Sequence, residues 1–278
     1  MALMHETQSA TARLADGVEL RYGLRGGDSG RRIALIHSLA LNQDVWQPVA
    51  EALSADASVL TYDCRGHGAS TRAAGPYSLD LFADDLAGLL DHVGWPAATV
   101  VGASMGGSVA LAFATRHPGR IEGLGLVDTT AWYGPDAERT WEERAQRALA
   151  EGLAALIPFQ LTRWFSDSFR QSHPEMVAHF SDVFTANDPE CYAAACRMLG
   201  SFDLRPQLGA IRVPTAVIVG EEDYATPVDM AEQLHAGIAG STLHVLPAAR
   251  HLSPLERPTQ VAALVGGLPV RHSHADRG

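Results

Sequence analysis

The sequence contains no lysine: all 21 of its fixed positive charges are arginines. Schiff-base chemistry and a lysine general base are thereby excluded. Cysteine is scarce too. Cys64, Cys191 and Cys196 are odd in number and include no Cys-x-x-Cys pair. Neither a disulfide framework nor a cysteine-zinc site is expected, and reduced thiols fit best. No apolar run reaches the ~20 residues needed to span a bilayer. Residues 1–13 are polar and mixed, without the apolar core of a signal peptide. The expectation is a cytoplasmic protein with no membrane partner. Positive charge is outnumbered, since 32 acidic residues give a formal net charge of −11. That balance repels phosphate backbones and argues against nucleic acid as a partner.

What is present is an apolar, strand-and-helix chain. At 278 residues and 46% hydrophobic, it can build one large α/β domain with an insertion. Apolar runs at residues 31–37, 58–62, 98–101, 123–127, 216–219 and 243–246 read as strands. Residues 79–93 carry Phe82, Leu86, Leu89, Leu90 and Val93 at helical spacing behind Ser78, a good N-cap. Strands alternating with helices predict a mostly parallel sheet with helices on both faces. Residues 17–22 are expected to join an antiparallel N-terminal edge. The alternation stops between residues 131 and 208, where the pattern is helical throughout. The expected organisation is therefore a core over residues 1–132 and 206–278, interrupted by a helical cap over residues 133–205. The tail after about residue 270 is polar and is expected to be disordered. Its His272 and His274 read as part of a frayed tail rather than as metal ligands.

The chemical signal is Gly102-Ala103-Ser104-Met105-Gly106, a G-x-S-x-G set between a predicted strand and a predicted helix. In that context the motif is a nucleophile elbow: a sharp turn lifts Ser104 off the sheet, and the helix N-terminus behind it favours developing negative charge. A serine hydroxyl needs a base. His251 follows the strand at 243–246 and is the expected base; His37, which also ends a strand, is its rival and is expected to shape the loop beside the site. The base needs an acid. Asp223, just past the strand at 216–219, is the expected one, with Asp128 after the preceding strand as the main rival. Glu221 and Glu222 read as solvated neighbours. An oxyanion hole needs backbone N–H donors. Met105, after the nucleophile, should supply one, and Leu39, in the loop after residues 31–37, the other. No metal or organic cofactor is called for.

These pieces resemble the α/β-hydrolase superfamily over nearly the whole chain. The segment Asp63-Cys64-Arg65-Gly66-His67-Gly68-Ala69-Ser70 is similar to that superfamily's D-x-R-G-x-G-x-S turn, in which Asp63 and Arg65 are expected to pair locally. The resemblance implies an eight-stranded sheet with a cap. Within the superfamily the chain is most similar to 3-oxoadipate enol-lactonases, through His37-Ser38-Leu39 with Trp46, Tyr62 to Ser70, Gly75-Pro76-Tyr77-Ser78 and Ser104-Met105-Gly106-Gly107. Those enzymes usually show N-S-L-G-T where this chain has His37-Ser38-Leu39-Ala40-Leu41.

The resemblance implies a bacterial serine esterase or lactonase of aromatic-compound catabolism, acting on a small ester or lactone. If that substrate is acidic, an arginine should meet its carboxylate. Arg163 and Arg197, in the cap, are the candidates, with Trp132 and Trp164 as apolar wall and His37 as a further substrate-side residue. A broad carboxylesterase, a carbon–carbon bond hydrolase and a ligand receptor with a retained triad are the alternatives. A homodimer is compatible with the sequence.

Overall fold

The computed structural model describes residues 8–27 and 30–269; the tail after residue 270, with His272 and His274, lies outside them. The eight strands are β1 (Gln8–Arg13), β2 (Glu19–Arg25), β3 (Arg32–Ile36), β4 (Ser58–Tyr62), β5 (Ala98–Ala103), β6 (Ile121–Val127), β7 (Thr215–Gly220) and β8 (Thr242–Leu246). They form one sheet in the order β1-β2-β4-β3-β5-β6-β7-β8. β2 runs antiparallel to both its neighbours, and β3 to β8 pair in parallel. The antiparallel strand expected near residues 17–22 is β2, which joins the N-terminal edge by pairing with β1. The edge is β1, where Ala10 and Ala12 are the less exposed residues between exposed Ser9, Thr11 and Arg13. Two alanines make too weak an alternation to read from sequence. β5 and β7 are buried at every position, as strands covered on both faces must be.

Helices α1 (Gln47–Leu53), α2 (Leu79–His92) and α3 (Met105–Arg116) alternate with the early strands. α2 begins where Ser78 Oγ accepts the Leu81 N–H at 3.1 Å, which satisfies one of the donors a helix start leaves open. Its Phe82, Leu86, Leu89 and Leu90 are buried. After β6 the chain leaves the sheet for α4 (Ala137–Glu151), α5 (Ile157–Trp164), α6 (Asp167–Ser172), α7 (Pro174–Thr185) and α8 (Pro189–Ser201) before returning to β7. α9 (Val228–Gly237), α10 (Ser253–Glu256) and α11 (Pro258–Gly266) complete the described fold. Among the described residues no helix is long and apolar enough to cross a membrane. The loops after β3, β5, β6, β7 and β8 all leave the carboxyl ends of parallel strands, the edge where open α/β sheets assemble sites.

The D-x-R-G turn is built differently from the local pairing expected of it. Asp63 Oδ1 accepts the Gln43 N–H at 2.8 Å and Oδ2 the Ala69 N–H at 2.9 Å, so its carboxylate is occupied in capping the turn. Arg65 instead reaches α2, where Nε and Nη2 donate to the two oxygens of Asp85 at 2.6 and 2.5 Å, and Nη2 also meets Asp16 at 2.8 Å. Arg65 and Asp85 are 5% and 4% exposed. Removing one partner of a buried pair costs about 3–5 kcal/mol, and without Asp85 the buried Arg65 would keep only the half-exposed Asp16. Asp85→Ala should therefore lower the unfolding free energy by about that amount in a urea titration. Asp16→Ala, at a half-exposed position, should lower it by less than about 1 kcal/mol.

Candidate active site

Ser104 occupies the turn between β5 and α3 with φ 54° and ψ −117°, a strained conformation for a residue with a side chain. The surrounding backbone over-determines it. Ser104 N–H donates to Val127 O at 2.9 Å, and its carbonyl accepts from Gly107 N, Ser108 N and Thr129 Oγ1. The glycines are needed for close approach. A Cβ on Gly102 would collide with the Gly106 carbonyl, and one on Gly106 with the carbonyls of Ile36 and His37. Bare backbone at these positions lets α3 start against the end of β3.

His251 Nε2 lies 2.8 Å from Ser104 Oγ, and His251 Nδ1 lies 2.8 Å from Asp223 Oδ2. All three residues are buried. Asp223 is held from several sides: Ala225 N–H and Thr226 N–H donate to Oδ1 at 2.7 and 3.1 Å, and Thr226 Oγ1 donates to Oδ2 at 2.9 Å. Burial works against its charge, yet His251 and the Thr226 donors outweigh burial and hold its pKa below the ordinary carboxylate value. Thr226 carries no motif and is missed by sequence reasoning.

The rival acid Asp128 does not touch His251. Its Oδ1 accepts Gly220 N–H and its Oδ2 accepts Ser253 N–H, each at 2.9 Å. It ties the end of β7 to the start of α10, and so brackets the loops that carry Asp223 and His251. Burial first, then the charge of Asp223, pushes its pKa well above the carboxylate range.

Leu39 lines the small cavity at Ser104. Met105 opens α3, so its N–H is among those a helix leaves without an intrahelical acceptor. The loop after β3 turns at Ala40 with φ 56°, the position where the resemblance implies glycine. Asn187, between α7 and α8, donates to Ala40 O at 2.7 Å and anchors this strained turn. His37 is packed under the loop, not in the cavity. Its Nδ1 is 2.7 Å from Ser38 O and its Nε2 accepts Cys64 N–H at 2.9 Å, an arrangement that requires the neutral ring with the proton on Nδ1.

The cavity at Ser104 measures only ≈ 20 Å³ and is walled by Tyr133, Trp141, Arg144, Gln160, Arg163 and Trp164. Five residues, namely Tyr133, Trp141, Arg144, Arg163 and Ala225, also line an adjoining open cavity of ≈ 430 Å³. They form the partition between the two. Of the residues proposed for substrate, Arg163 and Trp164 are brought here; His37, Arg197 and Trp132 are not. Arg197 forms a two-pronged ion pair with Glu142 at 2.7 and 2.9 Å and lines a separate groove that contains none of Ser104, Asp223 and His251. Trp132 is covered by the guanidinium of Arg205, 3.5 Å from its ring centroid. In their stead stand Arg144 and Tyr133. Arg144 lies on the buried face of α4, three residues after Trp141 and four before Ala148, and a cation on an apolar helical face was the available signal.

Neither Arg144 nor Arg163 is within ion-pair distance of a carboxylate among the described residues. Arg144 Nε donates to Tyr192 Oη at 2.5 Å, and its guanidinium sits 5.0 Å from the Trp141 ring centroid. Arg163 lies 5.0 Å from the Phe159 ring centroid. Burial, and then the charge of Arg144, depress the pKa of Arg163. The partition thus presents to the cavity two arginines without a carboxylate in ion-pair range among the described residues. Among the described residues, no group of three His, Cys, Asp or Glu is placed to hold a metal ion.

The model of the alpha/beta hydrolase fold family matches residues 32–258. The chain is 35% identical over 258 residues to 3-oxoadipate enol-lactonase 2 of Acinetobacter baylyi, covering 93% of this chain and 94% of that protein. Among solved structures, the enol-lactonase of Burkholderia xenovorans superposes with a TM-score of 0.88 at 36% identity, covering 92% of this chain and 98% of that one. A thermophilic esterase from Thermogutta terrifontis, solved with malate bound, gives a TM-score of 0.86 at 32% identity over 92% of this chain and 96% of its own.

The buried histidines beside the site set a pH dependence of stability. Burial brings the pKa of His37 down to about 4, and burial together with His37 brings that of His67, whose ring centroid is 5.2 Å away, down to about 3. Below the unfolded value of about 6.5 the unfolded chain binds protons that the folded chain refuses, so stability is lost as pH falls from there. His37 alone should account for about 3 kcal/mol between pH 6.5 and pH 4. Urea midpoints measured across that window should fall steadily. A flat profile would contradict the neutral, buried state of these rings.

Proposed function

The chain belongs to the alpha/beta hydrolase fold family, and on that premise we propose that it is a serine hydrolase cleaving a small ester or lactone that carries a free carboxylate, through an acyl-enzyme on Ser104. The observation that carries the reading is the unbroken relay of two 2.8 Å contacts from Ser104 Oγ through His251 to Asp223. In the proposed reaction His251 Nε2 takes the Ser104 proton as Oγ attacks the carbonyl carbon. Asp223 accepts from Nδ1–H, which keeps Nε2 free as the base and stabilises the imidazolium that forms. The amides of Leu39 and Met105 hold the oxyanion. His251 then returns the proton to the leaving oxygen, which in a lactone stays tethered to the acyl chain. A water deprotonated by His251 attacks the acyl-enzyme, and the acid is released as Ser104 recovers its proton.

The substrate class rests on the two arginines. A guanidinium is the preferred partner of a carboxylate because its planar fork matches both oxygens. Arg144 and Arg163 stand between the outer cavity and Ser104, so a substrate anchored on them would present its carbonyl inward. Two relatives support an acidic substrate. 3-Oxoadipate is a dicarboxylate whose enol-lactone keeps one carboxylate free, and malate, bound to the esterase, is also a dicarboxylate. We read residues 133–205 as a cap, since α4 and α5 carry these arginines. The inner cavity holds about one water, so the cap must yield for an ester to reach Ser104.

Wild-type protein should be labelled covalently by a fluorophosphonate and Ser104→Ala should not; an unlabelled wild type overturns the serine mechanism. Arg144→Met and Arg163→Met should each lower kcat/KM for a carboxylate-bearing lactone by about 10- to 100-fold, the worth of a charge-assisted hydrogen bond. Neutral p-nitrophenyl esters should change by less than about threefold. Equal losses on both substrate types would remove the carboxylate from the proposal.

A further inference from the structure

The backbone that carries Arg163 is bonded directly to the backbone that carries His251. His251 N–H donates to Arg163 O at 3.4 Å and Leu252 N–H to Trp164 O at 3.0 Å. On either side, Arg250 Nη1 donates to Thr162 O at 3.0 Å and to Phe165 O at 3.1 Å. The fifth residue, Ser166, is held by Glu256. One carboxylate oxygen of Glu256 accepts Arg250 N–H at 2.8 Å, while its two oxygens share the Ser166 N–H at 3.3 and 3.2 Å and Oε2 also accepts the Ser166 hydroxyl. Every residue from 162 to 166 therefore gives a polar main-chain group to residues 250–256. Glu256 is 6% exposed and Ser166 3%, so water does not compete for these bonds.

This strap does not belong to the sheet or to any one helix. It joins the end of α5 to the loop after β8, which lie about 90 residues apart in sequence. From one side of the joint the Arg163 side chain reaches the partition, and from the other the His251 ring reaches Ser104. We propose that Glu256 is a positioning residue that locks the Arg163 segment to the His251 loop, so that seating the substrate's carboxylate and aligning the base are one mechanical event. The inference rests on the reading of Ser104 and His251 as nucleophile and base.

The chemistry of the joint calls for a carboxylate. Glu256 accepts on both oxygens and donates to nothing. A glutamine there has one accepting oxygen, and its amide would face a backbone N–H donor to donor. Loosening the joint should affect two quantities separately. Misaligning His251 slows chemistry on every substrate, whereas shifting Arg163 weakens only those that carry a carboxylate.

The test uses the full chain, first confirmed to react with a fluorophosphonate. Glu256→Gln should lower kcat about tenfold on both a neutral p-nitrophenyl ester and a carboxylate-bearing lactone, and slow fluorophosphonate labelling by a similar factor. KM for the lactone should rise about fivefold while KM for the neutral ester stays within about twofold. Ser166→Ala removes one bond of the joint together with the Oγ cap on the Phe169 N–H at the start of α6, and should move the same quantities in the same directions by smaller factors, so the test survives if Glu256→Gln fails to fold. In an Arg163→Ala background the effect of Ser166→Ala on the lactone KM should vanish. Variants that lose thermal stability yet keep wild-type kcat, KM and labelling rate would overturn the proposal. So would a lactone KM effect that persists without Arg163. A wild type that does not label removes the serine reading itself, which distinguishes that failure from failure of the strap.

Discussion

The approach of α3 to the end of β3 is the contact on which the site depends. Main chain meets main chain there, and Gly102 and Gly106 leave no side chain in the way. That approach forces the turn at Ser104 into its positive φ, which sets the hydroxyl above the sheet. The same approach sets the end of β3, from which the loop carrying Leu39 leaves, against the first turn of α3. One close contact thus sets the turn at Ser104 and the start of α3 together. Its strain is borne by bonds to Ser104's own backbone from β6, from α3 and from Thr129.

Two buried acids lie behind this turn, and their partners separate their parts. Asp128 binds two backbone amides that belong to neighbouring elements, and these bonds join β6, β7 and α10. Asp223 binds amides of its own loop together with the Thr226 hydroxyl and His251. The imidazole and the Thr226 donors favour the charged form of Asp223, whereas burial and the charge of Asp223 disfavour that of Asp128. The pair therefore divides into a brace between elements and a partner for His251, although both follow parallel strands at the same edge of the sheet.

The chain is strongly acidic, yet the partition above Ser104 is cationic. With no lysine available, the charge there comes from arginine alone. Arginine stays charged when partly buried and stacks on aromatic faces, as Arg144 does with Trp141 and Arg163 with Phe159. Two such side chains, packed against rings and without an ion-pair partner among the described residues, make the partition cationic.

Several features were legible in the sequence because neighbours along the chain encode them. The elbow needs its glycines within two residues of Ser104, the strands announce themselves as short apolar runs, and α2 carries its own cap at Ser78. The order of Ser104, Asp223 and His251 after successive strands follows from the parallel alternation. Tertiary structure decided whatever depends on the direction in which a side chain leaves its backbone. Arg65 and Asp63 are two residues apart, but they face different neighbours, so Arg65 pairs with Asp85 on α2. Arg197 and Arg144 are both arginines of the helical insertion. Only the packing of α4 on α8 turns Arg144 toward Ser104 and leaves Arg197 to Glu142 on the surface. Trp132 and Tyr133 are adjacent, and the backbone sends one under Arg205 and the other into the cavity. A sequence states the spacing of residues along one chain, whereas the facing of a helix is settled by what it packs against.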